Sequence, residues 1–221
     1  ITKPKAKSIY QLKKVFSGAQ FVQSGGNNIN IVDNEGSIYE GINNKNTQVN
    51  NIKQLVSSLN AEFALSEDGK IYAKGNAYMW GNEINKSKYT IVTKDGNKEF
   101  DNIDKIFAIK GNNGCIFTTK DKEMYWAGTT TYVAIPNIKG SIPVTGMGIR
   151  TEYPEKVENN IINNIIDKIK DIKFNFINEA GIRGKNILIL TNDGKLYTYS
   201  DNTNMTGVGA TSDFTEIKFD G

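Results

Sequence analysis

The 221-residue sequence has no histidine, one cysteine and four prolines. Without histidine there is no Ser-His-Asp triad, no Cys-His dyad and no imidazole metal site. A lone cysteine forms neither an internal disulfide nor a cysteine zinc cluster. No run of 18 apolar residues occurs, so no helix is expected to span a membrane. Nor does charge of one sign dominate. There are 27 Lys and Arg against 24 Asp and Glu, a net +3. That is too weak and too evenly spread to argue for nucleic acid as a partner. The chain opens at Ile1, with neither Met nor a charged-then-apolar leader. This reads as a processed form or a piece whose targeting signal lies out of view.

What remains is ordinary for a globular protein, with 38% hydrophobic residues. The length suits one β-rich domain and can bury roughly 70% of the unfolded surface. Asn, Ile and Lys are abundant, as an A/T-rich genome would dictate. We read this as the composition of a bacterial surface or secreted protein, extracellular in location. Asn still matters physically, because it tolerates turns and left-handed backbone.

One pattern recurs four times, in segments 21–41, 52–73, 103–127 and 169–199. Each reads strand, short turn, strand, Asp-Gly-like turn, strand. The second turns are Glu35-Gly36, Asp68-Gly69, Asp121-Lys122 and Asp193-Gly194. Such pairs between apolar runs predict two-residue type I′ hairpins, which need positive φ. An aliphatic residue then directly precedes a tyrosine: Ile38-Tyr39, Ile71-Tyr72, Met124-Tyr125 and Leu196-Tyr197. Aliphatic and aromatic neighbours of this kind suit a half-buried pleated surface.

The run Ala61-Glu-Phe-Ala-Leu-Ser-Glu-Asp-Gly-Lys-Ile-Tyr-Ala-Lys-Gly75 resembles the regulator of chromosome condensation type repeat, in a divergent, bacterial form. The family pattern has Trp-Gly after Tyr-Ala. Here Lys74-Gly75 stands there, Trp126 is an approximate counterpart in the third repeat, and the family's first-turn His is missing throughout. The resemblance covers most of the chain. It implies an all-β fold, a β-propeller of four-stranded antiparallel blades, commonly seven of them. It also implies an interaction platform. One eukaryotic member exchanges nucleotide on a small GTPase and a bacterial relative inhibits β-lactamase; the partner-specific surface of neither is matched here.

Repeats are expected at roughly 16–51, 52–102, 103–168 and 169–214. They form a single propeller domain over 1–221 or a fragment of a larger propeller, with partial blades at both ends. Ser8 to Leu12 reads as the end of one blade, and Glu216 to Asp220 as the first strand of another. Insertions fall at about 76–88, 129–154 and 177–185. In an up-and-down blade the first and third connections leave at one end, so all three insertions should gather on one face. In 155–168, Val157, Ile161, Ile162, Ile165 and Ile166 recur at helical spacing and predict a short amphipathic helix. Acidic residues near its start and Lys168 at its end fit the helix dipole. The next strand should begin at Ile169 or Lys170.

No catalytic constellation emerges, and no cofactor or metal site. Cys115 lies on a strand and reads as a buried small hydrophobe. Gly146-Met-Gly148 and Gly207-Val-Gly209 lack the lysine and strand–helix setting of phosphate loops. Asp33 and Glu35 belong to a turn. A carboxylate-based hydrolase needs acids close in space, which sequence does not reveal. The insertion face carries Tyr78, Trp80, Tyr132, Arg150, Tyr153 and Arg183, residue types that dominate binding hot spots. Tyr89 reads as part of a fourth strand, and Trp126 as packing between blades. The leading expectation is a non-enzymatic module that binds a protein through this face. The alternatives are a glycan-binding module of the cell envelope and a structural part of a larger assembly.

Overall fold

A computed structural model describes residues 18–25, 28–41, 43–109, 113–130, 142–144, 148–179, 182–200, 211 and 213–218. The first sheet is β1 (Ala19–Gly25), β2 (Asn28–Asp33), β3 (Ile38–Glu40) and β4 (Asn44–Lys45). The second is β5 (Ile52–Ser57), β6 (Ala61–Ser66), β7 (Ile71–Gly75) and β8 (Lys86–Ile91). The third holds β9 (Ile103–Ala108), β10 (Gly114–Thr119) and β11 (Met124–Thr130), edged by β13 (Gly148–Arg150) and β14 (Glu155–Lys156), with β12 (Ile142–Val144) beyond β13. A helix, α1 (Asn160–Ile165), follows. The fourth sheet is β15 (Ile169–Glu179), β16 (Ile182–Thr191), β17 (Leu196–Ser200) and β18 (Thr215–Ile217). Every sheet is antiparallel and ordered as the chain runs, apart from the β12–β13 extension. These are four propeller blades.

The hairpin turns differ from the type I′ expectation. In each, a backbone bond runs from the fourth residue back to the first, as from Gly36 N to Asp33 O at 3.0 Å. A second closes one residue further out, from Asp33 N to Ser37 O at 3.0 Å. Only the last turn residue has positive φ: Gly36, Gly69, Lys122 and Gly194. This is a type I turn closed by a left-handed residue, the usual three-residue hairpin. The Asp33 carboxylate favours it by accepting from Glu35 N and Ser37 N.

Blades pack face to face because alternate side chains of each strand point to opposite neighbours. We call the face toward the next blade trailing and the face toward the previous blade leading. Three buried clusters fill the three gaps. Val32, Ile38, Leu55 and Ala64 lie between blades one and two. Phe63, Leu65, Ile71, Phe100, Cys115 and Phe117 lie between two and three. Ile116, Met124, Trp126, Ile172, Ile187 and Ile189 lie between three and four. Each fully buried Leu, Ile or Phe contributes about 1.5–3 kcal/mol. Cys115 is fully buried as expected, and burial pushes its thiol pKa far up. Polar stitches register the blades. Gln54 donates to Ile106 O at 2.7 Å and accepts from Ile106 N at 2.9 Å, and Lys105 donates to Ile169 O at 2.6 Å. The turn glycines also take part, since Gly36 O accepts from Ile52 N and Gly69 O from Ile103 N.

Three expectations change. The helix is shorter than 155–168. Residues 155–156 form β14, α1 covers Asn160–Ile165 and a 3-10 turn covers Ile166–Lys168. No acidic residue occupies the first turn of α1; instead the Asn159 side chain accepts from Ile161 N and Ile162 N. Glu216 belongs to β18 and closes the fourth blade rather than opening a new one, because Leu196 pairs with Ile217 and Tyr197 with Glu216. The third insertion is no loop. It lengthens the β15–β16 ladder out to the Glu179–Ile182 pair. Ser8 to Leu12 lies outside the described residues.

Candidate binding face

The first and third connections of each blade leave at one end, and the Asp-Gly turns lie at the other. Part of the insertion after β7 packs into the core between blades two and three. Its own apolar residues draw it in, since Ala77 and Met79 are fully buried and Tyr78 is only 8% exposed. The Trp80 indole packs against the same core and donates from Nε1 to Ile91 O at 3.1 Å. Lys86 lies 6.0 Å from the Trp80 ring centroid and pairs with Glu83.

The second insertion meets the first at Thr151, which is fully buried. Its hydroxyl donates to Tyr78 O at 2.8 Å and accepts from Gly128 N at 2.9 Å. Nearby, Gly81 N donates to Glu152 O at 2.8 Å. The bond to Thr151 holds Tyr78 at φ +53°, a conformation uncommon outside glycine. The Tyr153 hydroxyl sits between Gly81 and Gly96, so close that a Cβ added at either glycine would lie 2.8 Å away. The Arg150 guanidinium stands 6.0 Å from the Tyr78 ring centroid.

Four of the expected site residues, Tyr78, Trp80, Arg150 and Tyr153, thus come together where the insertions after β7 and β11 meet. Their contacts described here run largely to each other's loops. Arg183 lies on β16 opposite Asn178, and its side chain is outside the described part. Tyr132 is likewise outside the described residues. Tyr89 is buried in β8, where its hydroxyl donates to Glu62 at 2.8 Å. Trp126 is fully buried in the core between blades three and four, as expected.

Sequence reasoning missed two charged features. The first joins blades one and two. Lys74 Nζ stands 2.9 Å from Glu40 and 3.0 Å from Glu62, while Asn30 donates to Glu62 at 2.7 Å. Burial works against the Lys74 charge, but Glu40 and Glu62 outweigh it and hold its pKa above the usual lysine range. Burial likewise pushes Glu40 up, and the Lys74 and Asn46 hydrogen bonds outweigh it, so Glu40 lies below the usual carboxylate range. These partners are 34 and 12 residues from Lys74 along the chain, and no local spacing signals them.

The second is Glu155, which pairs across strands with Trp126. Burial raises its pKa to about 7. The Trp126 indole N–H offsets only part of that rise and makes no hydrogen bond of good geometry.

At the loop end, Leu59 is 60% exposed and Ile84 39% exposed. Leu59 sits between β5 and β6. Ile84 sits two residues before Lys86, which pairs with Gly75. The turn end is dressed in ion pairs instead, with Lys70–Glu99 and Lys122–Asp167 each at 3.2 Å. Among the described residues, no cluster of three or more His, Cys, Asp or Glu is placed to hold a metal, and no helix is long and apolar enough to cross a membrane.

Among solved structures the chain is similar to Prp20p from Saccharomyces cerevisiae, with 17% identity and a TM-score of 0.62 over 92% of this chain and 52% of that one. It is similar to yeast RCC1 (Prp20) in complex with Kap60, with 15% identity and a TM-score of 0.60 over 92% and 50%. It is also similar to human WBSCR16, with 13% identity and a TM-score of 0.59 over 97% and 56%. The chain spans about half the length of each. No family model and no curated protein matches the sequence. The likeness lies in the backbone rather than in the sequence, and the chain has the fold of an RCC1-type β-propeller.

Proposed function

We propose that this chain is a non-enzymatic module that binds a protein through the loop end of its propeller, in a bacterial surface or secreted setting. The observation that carries the reading is the placement of Leu59 and Ile84. Large apolar side chains exposed at 60% and 39% stand at the loop end, while the turn end is charged and salt-bridged. Single exposed apolar residues are common, but two at one end of a sheet stack favour a contact surface there. The fold-mates add support. The Prp20p structure is described with binding to Gsp1p and histones, and the second was determined with Kap60 bound.

Tyr78, Trp80 and Tyr153 then act from behind the surface, fixing the loop that carries Ile84. A glycan site built on stacked aromatic faces has less support, because the Tyr78 ring is buried. The test is a pull-down from the source cell envelope with the chain as bait, beside a glycan array. A protein should be captured by the native chain, lost with Leu59→Asp plus Ile84→Asp, and kept with Lys122→Glu on the turn end. Capture unaffected by the double change, or sugar binding in place of protein capture, contradicts the reading.

A further inference from the structure

The outermost strand of a blade has no neighbour on one side, so its outward N–H and C=O groups can pair with another chain. Very short outer strands offer little to pair with. In blades one, three and four the outermost strands β4, β12, β14 and β18 are two or three residues long. Blade two differs. Its outer strand β8 has six residues, and among the described residues no strand lies beyond it.

Pairing fixes which groups of β8 face outward. Val92 N donates inward to Ile71 O at 2.9 Å, and Thr90 stands opposite Ala73 of β7. Backbone direction alternates along a strand, so Tyr89 and Ile91 turn their N–H and C=O groups away from β7. Side chains from two other segments meet them there. Tyr89 N donates to Gln48 Oε1 at 3.0 Å. Ile91 O accepts from Trp80 Nε1 at 3.1 Å. Both caps are themselves held in place. Gln48 N donates to Asn46 Oδ1 at 2.8 Å, and Asn46 Nδ2 donates to Glu40 at 3.0 Å. The neighbouring Val49 is buried in the same core cluster as Tyr89. The Trp80 indole packs against the core between blades two and three. The strand also carries Lys86 and Lys88, and its register with β7 shifts between Ala73 and Gly75. Edge lysines and an irregular register both oppose pairing with a further strand.

We infer that Gln48 and Trp80 seal the outer edge of blade two against strand addition by a second copy of this chain. A strand that joins β8 must bond the Tyr89 N–H and the Ile91 C=O together. Both are already engaged, one from the segment before β5 and one from the insertion after β7. To reach Ile91 O the arriving strand must lift the Trp80 indole off its core contacts. Trp80 therefore has a role separate from fixing the loop that carries Ile84, and the seal holds whatever the loop end binds.

The test compares the native chain with Gln48→Ala plus Trp80→Phe, following self-association by light scattering and thioflavin fluorescence at equal concentration. Trp80→Phe keeps a ring in the core and removes the donor. The double variant should start with the native far-ultraviolet circular dichroism spectrum and associate about tenfold faster than the native chain. Ser87 is exposed on the same edge. Adding Ser87→Lys to the double variant should bring the rate back to within about twofold of native. The same charge added as Asn192→Lys, on the turn of blade four, should not. Gln48 is exposed, so Gln48→Ala alone serves should the Trp80 variant not fold, with an expected acceleration of about threefold. Association at the native rate, or an acceleration that Ser87→Lys fails to reverse or that Asn192→Lys reverses equally, overturns the proposal.

Discussion

Thr151 carries more of the site than its residue type suggests. Its hydroxyl bonds Tyr78 O and Gly128 N inside the protein, 73 and 23 residues away along the chain. Thr151→Val keeps the shape and leaves both groups unmet, which costs about 1–3 kcal/mol each. Urea unfolding should show the loss, and amide exchange should rise first in residues 76–82. Glu155 predicts a pH effect of definite sign. Its pKa is raised from 4.5 to about 7 in the folded chain, so the folded state binds the proton more tightly. Its contribution to stability is present below about 4.5 and is lost as pH rises through about 7. The difference in Tm between the native chain and Glu155→Gln should therefore shift against the native chain across that window and be flat above it. Legibility divided along the same line. The burial of Cys115 and Trp126 could be read from strand alternation, which is local. The fate of Tyr78 and Trp80 could not, because it depends on Thr151 and Ile91, partners that the chain delivers only after folding.

Turns and caps set the elements. Gly69 has φ +80° and lies against Asp101 O, whereas Gly194 has φ +82° and open space. Alanine at either costs about 1 kcal/mol for the left-handed backbone. At Gly69 it must also displace the next blade, so Gly69→Ala should lower the urea midpoint clearly more than Gly194→Ala. Equal losses would mean that the turn does not register the blades. Asn159 caps α1 through Ile161 N and Ile162 N and donates to Asp213 at 2.7 Å. Asn159→Ala should cost about 1 kcal/mol or somewhat more, measurable by the same unfolding curves. The helix was legible from its isoleucine spacing, but its start was not, because residues 155–156 are claimed by pairing with Tyr125 and Trp126. The β15–β16 extension was hidden for a similar reason, since a ladder continued by backbone bonds needs no marker in its side chains. The turn class was misread because Asp-Gly serves two hairpin geometries, and the difference lies in the bond from Asp33 N to Ser37 O.

At the scale of the molecule, the repeats announced the blades, and backbone likeness at 13–17% identity confirms the propeller fold. The opening absence of histidine turns out to say little about architecture, since Gly, Asp and Tyr spacing carries it. The blades are held by apolar gaps and, between blades one and two, by a half-buried charged bridge. Lys74→Met removes that bridge and strands Glu40 and Glu62, so we expect a loss of about 2 kcal/mol or more, smaller at acid pH where Glu40, held below the usual carboxylate range by Lys74, becomes neutral. The proposed function rests on the loop end. The most direct measurement places a photo-crosslinking amino acid at Leu59 or Ile84 on the loop end and, separately, at Lys122 on the turn end, in cells that make the protein. The account predicts a discrete protein adduct from the loop-end sites and none from Lys122. Adducts from Lys122 alone, or from none of the three, would contradict it.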